Sequence, residues 1–142
     1  MTHTTSERLT TTRPLTVHGI ARQALAAAGL VGVAIVHLLD TPGKFQETPY
    51  LGVMFLGLIA ASLLAAELLL RGGGSIGWLA GAGLAGATIL GYVVSRTIGL
   101  PGAPEDDIGN WSEPLGMVSL LVEAVVVWLC VTGFLHSRRT HH

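Results

Sequence analysis

A chain of 142 residues with eight Lys or Arg against nine Asp or Glu carries a formal charge of −1, with half of its residues hydrophobic and only 12% charged. Soluble domains carry about 25% charged residues, so a water-exposed globule is excluded, and the lack of a basic surplus argues against nucleic acid as a partner. Lipid satisfies no backbone N–H or C=O, so long unbroken apolar runs must be spanning helices, and the fold class is all-α.

In chain order, residues 1–19 are Thr-rich with Arg8 and Arg13 and read as a flexible cytoplasmic tail. A signal peptide is the rival reading of the first apolar stretch, but three further apolar runs follow and no cleavage site precedes Asp40. The transmembrane domain covers 20–136, with spans at 20–39, 50–70, 76–94 and 115–135. Each span is close to the ~20 residues that cross ~30 Å of hydrocarbon. The connection Arg71-Gly-Gly-Gly-Ser75 is short enough to make spans two and three antiparallel neighbours. Between spans three and four lies a polar segment with a turn signal at Pro101-Gly102 and a helix start before Pro114. Its length, its Trp111 and its mixed charges predict a structured extracellular loop. Residues 137–142 read as a second cytoplasmic tail; no site is built on His3, His141 or His142.

The basic residues set the orientation. Arg8, Arg13, Arg22, Arg71, Arg138 and Arg139 fall on one side, which is cytoplasmic by the positive-inside bias and holds both termini. The other side has Lys44 and Arg96 against Asp40, Glu47, Glu105, Asp106, Asp107 and Glu113, two basic groups against six acidic ones, for a formal charge of −4. Such a face attracts cations. Tyr50, Tyr92 and Trp111 near that boundary and Trp78 near the opposite one fit interfacial belts, whereas Trp128 lies too deep for either.

Helices in lipid approach closely through small residues. Span three has two such rows, Gly77-Gly81-Ala85 and Gly83-Ala87-Gly91-Ser95, and is therefore expected at the centre of the bundle. The rows do not choose between contacts within the chain and a second copy of it.

Glu123 is the costliest residue, a carboxyl about two turns inside span four. It shares a face with Ser119 and Gly116, and on span three Thr88, Tyr92, Ser95 and Arg96 occupy a similar depth, which makes Arg96 the expected partner of Glu123. His37 and Asp40, three residues apart, can orient one another or reach a common ion. The candidate ligand-binding set is thus His37, Asp40, Tyr92, Arg96, Ser119 and Glu123. Met54 and Met117 lie near the depth of His37, and an imidazole with two thioethers suits Cu(I), so His37, Met54 and Met117 form a candidate metal set if they converge; packing is the plainer role for methionine.

Glu67 four residues before Arg71 reads as a local ion pair. His18 and His136 flank the spans and do not suit axial haem ligation, Cys130 alone excludes an intrachain disulfide, and the 105–110 segment lacks the alternating ligands of a calcium loop. With no nucleophile, metal cluster or phosphate-binding motif, catalysis is disfavoured and no cofactor is assigned.

The stretches 37–50 (HLLDTPGKFQETPY), 95–102 (SRTIGLPG) and 107–116 (DIGNWSEPLG) resemble small uncharacterised four-helix integral membrane proteins of actinobacteria. The resemblance implies a bacterial plasma-membrane setting and a four-helix bundle, and it carries over no catalytic residues. The expected function is a small membrane protein with a polar, cation-binding or transport-related site at its external face. The alternative is an accessory or assembly subunit of a larger membrane complex. The bilayer, a cation or small polar ligand, and a membrane-protein partner or second copy are the expected partners.

Overall fold

The computed structural model describes residues 17–72 and 74–139, and within them the chain forms four long helices and no strand. They are α1 (Val17–Glu47), α2 (Pro49–Leu70), α3 (Gly74–Thr97) and α4 (Pro114–Arg139), with a short 3₁₀ turn, Glu105–Asp107, between the last two. All four are long and apolar enough to cross a membrane, so the chain is read as a multi-pass membrane protein. Of the expected tails at 1–19 and 137–142, residues 1–16 and 140–142 lie outside the described residues, while 17–19 and 137–139 belong to α1 and α4.

The largest departure from the sequence reading is α1. Its 31 residues rise about 46 Å at 1.5 Å each, and the helix runs on through Pro42 where a loop was expected. Proline lacks an N–H and crowds the carbonyl four residues back, yet the helix continues, and the Thr41 hydroxyl donates to His37 O at 2.6 Å just before it. Thr48 alone separates α1 from α2; its N–H donates to Lys44 O at 2.8 Å, and Pro49 takes the first helical turn, where its missing N–H is not needed. Phe45 folds back against Gly52, where a Cβ would meet the ring at 2.6 Å. At the other end of α2, Glu67 pairs with Arg71 at 2.7 Å, and the turn into α3 places Gly72 at φ +76° and Gly74 at φ +54°, conformations that side chains resist.

The central helix is α1, not α3. It packs along α2 and α4, while α3 lies mainly on α4 and scarcely touches α1. The buried core joins Ala26, Leu30 and Val33 of α1 to Ala65 and Leu69 of α2, Trp78 and Ala85 of α3, and Val126, Leu129 and Cys130 of α4. Small residues make these approaches possible: Gly81 receives the Cys130 sulfur and Leu30, Gly29 receives Val126, and Gly133 receives the face of Trp78. The first small-residue row of α3 is therefore buried. The second is not: Gly83 and Gly91 have no atom within 4 Å of a Cβ position, and Ala87, Gly91 and Ser95 line a cavity.

A methyl group at Gly133 would lie 2.7 Å from the Trp78 ring, which is held in the core. Gly133→Ala should lower the unfolding free energy in detergent by about 1–3 kcal/mol. Gly57→Ala, facing open space, should leave it unchanged or slightly raised; equal thermal shifts for the two would contradict the packing.

Candidate functional site

The cavity lies at the end of the bundle that carries the α3–α4 connection, termed the cap end below. At the opposite end α2 and α3 are joined by their short turn and Gly77 packs on Leu69. Toward the cap end they leave between them a space of about 510 Å³, a size in the range of small-molecule sites. Its walls are chiefly apolar, from Val36 of α1, Leu51, Phe55 and Leu58 of α2, and Leu115 of α4.

The cap is organised by Arg96 on the last turn of α3, which is only 5% exposed. Its Nη1 donates to the carboxylate of Asp107 and, at 3.2 Å, to the Asp107 backbone carbonyl, while Nη2 donates to the carboxylate of Glu113. The Arg96 carbonyl accepts the Gly109 N–H at 2.9 Å, so side chain and backbone together gather the connection onto the helix. Tyr92 lies beneath, 5.0 Å from its ring centre to the guanidinium carbon, with Trp111 edge-on to it and its hydroxyl donating to Trp111 O at 3.3 Å. From across the cavity the Tyr50 hydroxyl donates to Pro101 O at 2.7 Å, tying α2 to the connection. The connection is thus held against the end of α3 by a buried cation.

Arg96 does not meet Glu123. The guanidinium sits on the final turn of α3, within reach of two carboxylates supplied by the connection itself, and those take both terminal nitrogens. Glu123, 1% exposed, lies at the cavity floor, where Ser119 donates to its Oε1 at 2.7 Å. The same oxygen is 3.9 Å from Nε2 of His37 on α1. Glu123 thus faces the interior and meets helix one, not helix three.

His37 is oriented by its own helix and not by Asp40. Nδ1 lies 2.9 Å from Val33 O, and since a carbonyl can only accept, Nδ1 carries the hydrogen and Nε2 is left to face Glu123. Phe55 packs edge-on against the imidazole with ring centres 4.8 Å apart. Asp40 lines the cavity nearer the cap.

His37, Asp40, Tyr92, Arg96, Ser119 and Glu123 therefore all line one cavity. The proposed thioether set is not assembled. Met54 borders the cavity but is 62% exposed, and Met117, 53% exposed, does not line it. Met117 therefore does not join Met54 and His37 at this cavity. Among the described residues no three His, Cys, Asp or Glu side chains gather as a metal site. The acidic surplus is also partly committed, since Asp107 and Glu113 are paired with Arg96, and Glu47 with Lys44 at 2.9 Å. His18 and His136 are both exposed.

Sequence reasoning missed Asp107 and Glu113 as the partners of Arg96, and Phe55 as the neighbour of His37. Only Glu113, just before the helix-starting Pro114, was marked by position; Asp107 and Phe55 gave no periodic signal.

Comparison of the chain with known protein families, curated proteins and solved structures finds no match.

Proposed function

We propose that this protein binds a small organic molecule with a polar end inside its helical bundle. The observation that carries this reading is a cavity of about 510 Å³ with chiefly apolar walls that holds, apart from the Arg96 cluster at the cap, a buried group of Glu123, Ser119 and His37. A carboxyl buried among apolar helices is costly unless it is paired or used, and a single serine hydroxyl satisfies only part of its bonding capacity.

The cation version of the expectation is weaker than the organic one. A bound ion needs several converging oxygens or nitrogens, whereas of the carboxylates that line this cavity Asp107 and Glu113 are paired with Arg96, and the walls are chiefly apolar. Ligands of drug-like size are instead held by mostly apolar pockets with few polar anchors.

Native mass spectrometry of the protein extracted from membranes tests the reading. Wild type should release a small molecule that Ser119→Phe, which fills the floor, does not retain, with the variant's thermal unfolding checked for an intact fold. Identical spectra, free of any bound species or carrying a stoichiometric protein subunit instead, would overturn it.

A further inference from the structure

We infer that the ligand is an uncharged lipid alcohol, which passes from the bilayer between α2 and α3 and seats its hydroxyl on His37 and Glu123; this rests on the binding function proposed above.

The floor selects the head group. With Nδ1–H donated to Val33 O, His37 presents only Nε2, and the facing Glu123 oxygen is 3.9 Å away. An imidazole Nε2 and a carboxyl oxygen can each face a ligand as donor or as acceptor. A hydroxyl matches both arrangements because it donates and accepts at once; a carbonyl only accepts and an ammonium only donates. The spacing also fits, since one oxygen set off the line between the two atoms can lie about 2.8 Å from each.

A charged head is not matched here. Arg96 and Lys44 lie toward the cap and are already paired with Asp107, Glu113 and Glu47, and although the buried Arg96 Nε has no partner, a phosphate or carboxylate head seated at the floor would face Glu123.

The route follows from where the bundle is closed. On the cap side, the Tyr50 bond to Pro101 and the Arg96 cluster line the cavity and tie α2 and α3 to the connection. At the opposite end Gly77 packs on Leu69. Between these two points α2 presents Met54 and Leu58 and α3 presents Ala87 and Gly91. Met54, Ala87 and Gly91 are exposed, and nothing lies within 4 Å of a Cβ position at Gly91. The opening is thus edged by a flexible thioether and two very small residues at the depth of the apolar spans, where a chain can lie with its remainder in lipid. A water-borne polar molecule would have to shed its hydration against these walls with few partners in return.

The test uses the full chain reconstituted in phosphatidylcholine vesicles and three photoactivatable probes: a diazirine-bearing long-chain prenol, its acetate ester and its phosphate monoester. After irradiation, peptide mapping should place the prenol on cavity-lining residues about tenfold more than either ester, the discrimination expected when a buried donor or acceptor is left unmatched. Gly91→Trp, which narrows the opening, should sharply reduce that labelling, while Gly83→Trp, equally unobstructed on α3 but outside the cavity lining, should not. Equal labelling by prenol and acetate would overturn the hydroxyl assignment. Labelling that survives Gly91→Trp would overturn the route. Absence of cavity labelling by every probe would overturn the inference as a whole, whereas failure of the binding reading would show independently as the lack of any retained molecule in wild type.

Discussion

Arg96→Met should cost about 3 kcal/mol of stability and release the α3–α4 connection to proteolysis. The guanidinium is buried while the side chains of Asp107 and Glu113 keep 25% and 31% exposure, so the loss belongs at the lower end of the about 3–5 kcal/mol seen when one member of a buried ion network is removed. Most of that loss is the stranding of two carboxylates and the release of the Asp107 carbonyl. Neutralising the partners as well, as Arg96→Met with Asp107→Asn and Glu113→Gln, should therefore recover more than half of it. Thermal unfolding in detergent and limited proteolysis measure both. A single-variant loss below about 1 kcal/mol, typical of a surface pair, would show that the cap does not depend on this network.

Glu123→Ala should cost about 2 kcal/mol, combining a small void with the loss of the partner of Ser119 and the neighbour of His37. Its relation to Arg96 is the more informative part. Although both residues line the cavity, they share no hydrogen-bonding partner, so the losses from Glu123→Ala and Arg96→Met should add to within about 0.5 kcal/mol. Ser119→Ala combined with Glu123→Ala should fall short of additivity, because either change alone breaks the same bond. Coupling between Arg96 and Glu123 that exceeds the coupling of Ser119 with Glu123 would contradict the arrangement of the floor and cap as two separate networks.

The spans were legible because the bilayer allows few solutions for a long apolar run, and hydropathy alone located all four helices to within a few residues at most ends. The exception is instructive. The first span was expected to end at Leu39, but α1 absorbs Pro42 and continues to Glu47, a tertiary outcome with Phe45 packed on Gly52 that no local propensity encodes. The two glycine rows of α3 were equally visible in sequence, yet one is buried and the other faces a void. Small residues permit close approach without requiring it, and which row is filled depends on the placement of α1. The depth of Glu123, Ser119 and His37 followed from helical rise, which is why the polar residues singled out by depth fall on one cavity. Their pairing did not follow. Arg96 found Asp107 and Glu113 because a folded connection brings those carboxylates back over α3, and connection geometry is not written in periodicity.

Thiol accessibility at the cavity floor tests the central claim most directly. Ser119 is buried yet lines the cavity, whereas Cys130, the chain's single native cysteine, is fully buried in the core. In Ser119→Cys protein, brief treatment with the small uncharged reagent methyl methanethiosulfonate, followed by peptide mass mapping, should modify residue 119 and spare Cys130. If residue 119 proves as unreactive as Cys130, the floor is sealed core and no binding cavity reaches Glu123.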